Sequence, residues 1–165
     1  TRAVRAFYAE RNHHIPVGIH EADSEYLGSS AEDTNHAVFF PFGEAGMEAF
    51  HSFSMDVPEA EFFYGEGDTL PDSDLYVMHT PGHSTGSVCF YSEPRQAVFS
   101  GDTLFFNTVG RTDVAHANSD SLHDSVSHRL FELPPETRVF PGHGPLTTIE
   151  REIRNNPMIS DGATI

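Results

Sequence analysis

The sequence predicts a mixed α+β fold, and three observations support this prediction. Apolar residues recur at helical spacing near the start of the 165-residue chain and again in residues 119–133. Short strand-like runs, bounded by Gly, Pro, Ser or Asp, lie between them. A hydrophobic content of 38% with 14 Phe is enough for a sizeable core. We therefore expect residues 1–165 to form a single domain, with residues 160–165 as a tail.

The first part of the chain alternates between helical and extended signals. Residues 1–14 predict a helix, residues 15–19 a short buried strand, and residues 20–27 a helical turn. Residues 28–60 are rich in Gly, Ser, Pro and aromatic residues without a clear period. We expect a long loop there, with a short helix near residues 44–52.

Strand signals dominate from residue 61 onward. Four short runs, EFFYG, LYVMHT, SVCFYS and AVFSG, are each bounded by turn-forming residues and together predict a sheet. Residues 119–133 predict a helix that ends at two consecutive prolines, and residues 138–140 predict one more strand.

The composition argues against several classes of function. Nine Arg and no Lys stand against 25 Asp and Glu, and the resulting charge of −16 opposes binding to nucleic acid or to anionic membranes. The single Cys89 excludes an intrachain disulfide framework. The sequence shows neither a signal-peptide pattern nor an apolar run of 18 residues, so we expect a cytoplasmic protein.

Three side chains with metal-binding chemistry lie where predicted strands end. His83 follows one strand in TPGHSTGS, Asp102 follows another in FSGDT, and His143 follows the last in FPGHG. The neighbouring Gly and Pro let the chain turn sharply, while a packed strand holds each side chain in place. Imidazole and carboxylate are ligands for zinc, manganese and iron, and one carboxylate can bridge two ions. This pattern predicts a catalytic metal site that the fold assembles.

The motifs HTPGHSTGSVCFY, VFSGDTLF, GRTD and FPGHGPLTTI, with a trailing NNP, resemble those of metallo-β-lactamase-fold hydrolases. Within that family the chain is most similar to the small glyoxalase II-like branch, also called hydroxyacylglutathione hydrolase-like. The resemblance covers residues 1 to about 159. It implies a four-layer αββα sandwich with two divalent metal ions, zinc first and iron or manganese next. It also implies that metal-bound hydroxide attacks a small thioester or related acyl substrate.

The resemblance assigns roles to individual residues. His83 corresponds to the third histidine of one metal site, Asp102 to the bridging and catalytic carboxylate, and His143 to the last histidine of the other site. Arg111, in GRTD, either orients an anionic substrate or pairs with Asp113, and the sequence favours neither role. Cys89, inside an apolar strand, is expected to be a packed residue.

The family's HxHxDH motif, which supplies four of its seven metal ligands, does not occur in the sequence. We expect residues 1–165 to be a fragment that begins directly after that motif, because the family places it before a helix resembling residues 1–14. His13 and His14 are not expected to replace it, since they follow the first helix at the surface. His79 is expected to be a packing residue. Glutathione recognition is not expected, since no helical domain follows residue 150.

Two alternatives to the hydrolase stay open. An iron-dependent persulfide dioxygenase-like enzyme shares TPGH, GD and GRTD, although FPGHGPLTT favours the hydrolase. The chain could also be an inactive fragment or a non-catalytic half-site, because three protein ligands divided between two metals bind each metal weakly. The sequence leaves the acyl substrate, the metal and the oligomeric state open.

Overall fold

The computed structural model describes residues 2–53 and 57–159, which form two compact units. The N-terminal unit contains the residues up to Ile19 together with Ser24–Phe63. The C-terminal unit contains His20–Asp23 together with the residues from Tyr64 onward. The single domain expected over the whole chain stays a prediction, and the expected tail at residues 160–165 lies outside the described residues.

Helices and one small sheet make up the first part of the chain. The elements are helix α1 (Arg2–Ala9), strand β1 (Gly18–His20), a 3₁₀ turn (Glu21–Tyr26), helix α2 (Ala31–Phe39), helix α3 (Gly43–Phe53) and strand β2 (Phe62–Tyr64). Strands β1 and β2 form a two-stranded sheet. The expected helix, strand and helical turn are therefore present, although β1 is shorter than predicted and shifted toward its C-terminal end.

The long loop expected over residues 28–60 is wrong for most of that segment, while the short helix expected near residues 44–52 is confirmed as α3. Glu32 and Asp33 lie in the first turn of α2, where negative charge favours the positive end of the helix dipole. Gly43, at φ +62°, provides the left-handed conformation that separates α3 from the preceding turn. The aromatic residues between the helices interrupted the helical period and concealed it.

A five-stranded sheet organises the C-terminal unit. In chain order its strands are β3 (Tyr76–His79), β4 (Val88–Ser92), β5 (Ala97–Gly101), β8 (Arg138–Pro141) and β9 (Thr147–Thr148). Their order in the sheet is β3-β4-β5-β8-β9, and only the β5 and β8 pair is parallel among these neighbours. The strand predicted in EFFYG is β2, which pairs with β1 and is not part of this sheet. A turn follows β2 before β3, and in it the Gly65 amide donates to Asp68 Oδ2 at 2.8 Å.

The sheet is supplemented by one hairpin and two helices. The hairpin consists of β6 (Leu104–Phe105) and β7 (Thr108–Val109), and the helices are α4 (Ser119–Ser125) and α5 (Ile149–Asn155). Asn118 Oδ1 caps α4 by accepting from the Ser121 amide at 2.8 Å. The helix expected over residues 119–133 is α-helical only to Ser125, since the chain then widens into a π-helical turn (Val126–Leu130).

One face of the sheet and the two helices enclose the hydrophobic core. The buried side chains are Met78, Cys89, Val98 and Val139 from the strands, with Leu122, Val126, Leu130 and Ile149 from the helices. Full burial of one such side chain contributes about 1.5–3 kcal/mol, so the core fixes the strands firmly. The predicted α+β class is confirmed. No helix within residues 2–53 or 57–159 is long and apolar enough to cross a membrane.

Candidate metal centre

The three predicted ligands meet at one edge of the five-stranded sheet. His83 lies in the turn after β3, Asp102 directly follows β5, and His143 follows β8. Strands β3, β5 and β8 run in the same direction, because β3 and β5 are each antiparallel to β4 and β5 is parallel to β8. The carboxyl ends of all three strands therefore share one edge, which brings residues 60 positions apart into one site.

Asp102 lies between the two histidines and offers a different oxygen to each. Asp102 Oδ2 is 3.9 Å from His83 Nε2, and Asp102 Oδ1 is 3.9 Å from His143 Nε2. A metal–nitrogen bond and a metal–oxygen bond together measure about 4.2 Å, so a metal ion fits within each gap. Within the described residues no three His, Cys, Asp or Glu side chains converge on a single position. The donors are thus two pairs that share one carboxylate.

The hydrogen bond of His83 determines which of its ring nitrogens is available. His83 Nδ1 lies 3.0 Å from the carbonyl oxygen of Arg111. A carbonyl oxygen only accepts, so Nδ1 bears a proton and Nε2 is the ring nitrogen that can offer a lone pair to a metal. Metal-binding histidines commonly donate their second nitrogen to a carbonyl in this way. The chemistry of His83 therefore fits a metal ligand whose Nε2 faces Asp102.

His143 is held by an aromatic neighbour. Its side chain is 72% exposed, and its ring stacks on that of Phe105 with centroids 4.4 Å apart and an interplanar angle of 27°. Phe105 belongs to β6 and is itself buried. The stack limits rotation of an otherwise exposed imidazole and keeps it beside Asp102.

Two glycines allow the backbone to pass close to Asp102. A Cβ on Gly142 would lie 2.4 Å from Asp102 Oδ1, and a Cβ on Gly110 would lie 2.0 Å from the Asp102 carbonyl oxygen. Gly142 N also donates to the Gly101 carbonyl at 2.8 Å. Gly142 of the FPGHG segment and Gly110 of the VGR segment are therefore explained by steric need at the site.

A small cavity opens beside the three residues. Its volume is about 240 Å³, and its wall includes His83, Asp102, Arg111 and His143 together with the apolar Phe105 and Val109. Cavities that enclose a drug-sized ligand measure roughly 300–1,000 Å³. This one is large enough for the reacting end of a substrate and leaves the rest of a larger molecule outside.

Arg111 pairs with Asp113, which was one of its two predicted roles. Arg111 Nε donates to Asp113 Oδ1 at 2.7 Å and Nη2 donates to Oδ2 at 2.9 Å. The hydrogen bond to the Asp113 carboxylate raises the pKa of Arg111, and the guanidinium lowers the pKa of Asp113. Orientation of substrate by Arg111 stays a prediction.

Sequence reasoning missed the residue that holds the turn after His83. Asp23 accepts hydrogen bonds from Ser84 Oγ (2.5 Å), from the Gly86 amide (2.6 Å) and from Thr85 Oγ1 (3.4 Å). All four residues belong to the C-terminal unit. More than 60 positions separate Asp23 from the turn, and no local pattern in the sequence connects them.

The remaining residues that the sequence singled out have structural positions. His79 stacks on His20 with ring centroids 4.3 Å apart and donates from Nε2 to the Thr85 carbonyl at 2.9 Å, so its packing role is confirmed. His13 and His14 are exposed after α1, as expected. Cys89 is fully buried, and this burial raises its pKa to about 11, which makes it a poor nucleophile.

A profile of the Metallo-beta-lactamase superfamily matches residues 10–143. The chain belongs to this superfamily. It is similar to the "Probable metallo-hydrolase YqgX" of Bacillus subtilis (strain 168), with 31% identity over 147 residues, 88% of this chain and 64% of YqgX. It is also similar to the hydroxyacylglutathione hydrolase GloC of Haemophilus influenzae, with 31% identity over 121 residues, 72% of this chain and 54% of GloC.

Solved structures of the superfamily give the same result. The BLEG-1 B3 metallo-beta-lactamase matches with a TM-score of 0.74 and 30% identity, covering 96% of this chain and 70% of that one. TTHA1623 in a di-iron-bound form matches with a TM-score of 0.67 and 36% identity, covering 94% and 70%. The expected family and fold are therefore confirmed. The chain spans 36% to 64% of the length of eight curated relatives that it matches.

Proposed function

We propose that the chain carries part of the two-metal centre of a metallo-hydrolase that cleaves a thioester or related acyl substrate. The observation that carries this proposal is the position of Asp102, whose two oxygens each face a different histidine Nε2 at 3.9 Å. A single carboxylate shared by two imidazoles is an arrangement suited to bridging two ions. When bound, divalent metal ions lower the pKa of water and polarise a carbonyl oxygen.

The protein residues have distinct proposed tasks. His83 Nε2 with Asp102 Oδ2 would hold one ion, and His143 Nε2 with Asp102 Oδ1 would hold the other. Arg111 forms part of the cavity wall, and we assign it the positioning of an anionic part of the substrate. The apolar Phe105 and Val109 would exclude water from the reacting end of that substrate. No protein nucleophile is needed in this scheme.

Relatives support the class of substrate. The relative GloC is named a hydroxyacylglutathione hydrolase, which supports a thioester as the proposed substrate. The structural neighbour BLEG-1 is named a B3 metallo-beta-lactamase, so a β-lactam is the natural comparison compound. Both are acyl compounds whose carbonyl carbon is open to attack. We place the thioester first because of the glyoxalase II-like motifs.

The identity of the metal distinguishes the proposed hydrolase from the second candidate function, a persulfide dioxygenase-like reaction. Zinc is the proposed metal of the hydrolase, with manganese as a further candidate. The di-iron-bound form of TTHA1623, at 36% identity, favours iron as the alternative. With iron, the persulfide dioxygenase-like reaction becomes the second candidate, and consumption of oxygen in the presence of glutathione persulfide would identify it.

The experiment is a comparison of metal-loaded chains. The protein is freed of metal, loaded in turn with Zn²⁺, Mn²⁺ or Fe²⁺, and assayed with an acyl thioester and with a chromogenic β-lactam. We expect metal-dependent thioester hydrolysis that falls about 100-fold or more in Asp102→Ala. His128→Gln, which changes an exposed histidine that pairs with Asp124, is the control and should keep the activity.

Four results would change the proposal. Equal hydrolysis with and without metal, or full activity in Asp102→Ala, would overturn it. Oxygen consumption by the iron-loaded chain without thioester hydrolysis would favour the dioxygenase-like reaction. Metal binding with neither reaction would favour the non-catalytic half-site.

A further inference from the structure

We propose that Glu152 is a positioning residue for His143. The inference rests on the proposed metal centre, since His143 matters through the ion it would hold. Glu152 does not contact His143. It acts through two backbone segments: the hairpin that carries Phe105, which lies beside His143 in space, and the strand that follows His143 in the chain.

Glu152 is a completely buried carboxylate with four hydrogen-bond donors around it. Its Oε1 accepts from Thr147 Oγ1 (2.5 Å) and from Arg151 Nη1 (2.6 Å). Its Oε2 accepts from the Asn107 amide (2.9 Å) and from Asn156 Nδ2 (3.0 Å). The relative exposure of Glu152 is 0%. A buried carboxylate is stable only when hydrogen bonds replace its lost hydration. The four donors therefore hold Glu152 in place, and Glu152 in turn holds the segments that carry these donors.

The first supported segment is the hairpin that carries Phe105. Asn107 lies at the turn of this hairpin at φ +60°, and its amide is held by Glu152. The carbonyl of Thr108 accepts from Asn156 Nδ2 at 3.1 Å, so the same cluster holds the next residue of the turn. The hairpin is short, with two residues in each strand, and depends on such external contacts. Phe105 then transmits its position to the stacked ring of His143.

The second supported segment is the end of the loop that contains His143. Thr147 begins β9, pairs with Val139 of β8 and donates its hydroxyl to Glu152. The loop is thus anchored by β8 before His143 and by β9 after it. One carboxylate therefore ties the loop that carries the histidine to the hairpin that carries its stacking partner.

Positioning is important here because the histidine ring itself is exposed. His143 is 72% exposed, so its orientation depends on the Phe105 stack more than on burial. Metal–ligand distances tolerate deviations of only about 0.2 Å. Leu104 and Val109 anchor the strands of the hairpin in the hydrophobic core, whereas its turn at Asn107 is held by Glu152, so a larger shift of that turn and of Phe105 would misplace the ring.

The test compares Glu152→Gln with a matched variant elsewhere. Asp74→Asn is the control, because Asp74 also accepts hydrogen bonds from a serine and an arginine, Ser92 and Arg95, but at the opposite edge of the sheet. Two properties are measured in each variant: the motion of the His143 ring by NMR relaxation without metal, and the affinity for Zn²⁺ by calorimetry. We expect Glu152→Gln to increase ring motion and to weaken Zn²⁺ binding about tenfold. Asp74→Asn should change neither.

The outcomes separate the inference from the proposed function. Glu152→Gln with a lower melting temperature but unchanged ring motion and Zn²⁺ affinity would overturn the inference and leave a purely structural role. A wild-type chain that binds no Zn²⁺ would overturn the proposed metal centre, while ring motion would still decide the positioning role.

If Glu152→Gln does not fold, Thr147→Val, which removes one donor, should show a smaller change in the same direction. In a His143→Ala background, Glu152→Gln should cause no further loss of affinity, and a further tenfold loss would overturn the inference.

Discussion

Replacing Gly142 by Ala should damage the metal centre while sparing the fold. The added Cβ would stand 2.4 Å from Asp102 Oδ1, and ordinary contacts begin at 3.4 Å, so the carboxylate must move by about 1 Å. Asp102 is 40% exposed and its side chain can rotate away. The other nearby atoms, at 3.2 and 3.3 Å, belong to Gly101 and need only a small adjustment. A displacement of about 1 Å exceeds the roughly 0.2 Å that metal coordination tolerates.

Calorimetric titration with Zn²⁺ and thermal unfolding measure the two effects separately. We expect Gly142→Ala to weaken Zn²⁺ binding at least about tenfold, with a melting temperature within about 3 °C of the wild type. Gly65→Ala is the matched control, because its Cβ would meet nothing within 4 Å, and it should leave the affinity unchanged. Wild-type Zn²⁺ affinity in Gly142→Ala would show that Zn²⁺ binding does not need Asp102 in its observed position, which contradicts this prediction.

Three further predictions concern other parts of the C-terminal unit. Cys89, whose pKa burial raises from 9.0 to about 11, should react with a disulfide reagent at pH 8 about 100-fold more slowly in the folded protein than in guanidinium; equal rates would contradict this. Burial lowers the pKa of His20, and the nearby His79 lowers it further. The native state therefore binds fewer protons than the unfolded state, so the protein loses stability as the pH falls below about 6.5, the pKa of an unperturbed histidine. The melting temperature should therefore fall more steeply between pH 7.5 and 5.5 in the wild type than in His20→Gln, and parallel curves would oppose this. Gly82→Ala should lower the free energy of unfolding by more than about 3 kcal/mol, because the new Cβ would lie 2.4 Å from the backbone of Leu122 and because residue 82 has a φ of +142°, which favours glycine. An unchanged unfolding curve would contradict this prediction.

The candidate site was predictable because its residues are marked by local sequence. His83, Asp102 and His143 each follow an apolar strand and lie beside glycine, and these strand ends share one edge of the sheet. Strands with the same direction bring such residues together whatever their separation in the chain. The pairing of Arg111 with Asp113 was one of two roles that the sequence left open, and the structure shows the pair.

The hydrogen bonds of the carboxylates that support the site were not predictable, because their partners lie far away along the chain. Asp23 holds a turn more than 60 positions away, and Glu152 holds the Asn107 amide 45 positions away. Asp23 carries no local signal, because buried and exposed carboxylates are identical in the sequence. Glu152 lies in the TTIERE segment, which resembles the glyoxalase II-like branch and indicates support for the His143 loop, but the sequence does not show which groups this carboxylate binds. Helix α2 was missed for a related reason: the aromatic residues at and after its end obscure the helical period, and only its packing reveals it.

Anomalous diffraction tests the proposal that Asp102 binds two metal ions, one with His83 and one with His143. Crystals of the chain grown with millimolar Zn²⁺ would be measured above and below the zinc absorption edge. We expect one zinc ion about 2.0–2.2 Å from Asp102 Oδ1 and a second at the same distance from Oδ2, each also bonded to the Nε2 of one histidine. Zinc peaks elsewhere on the protein, with none beside Asp102, would contradict it.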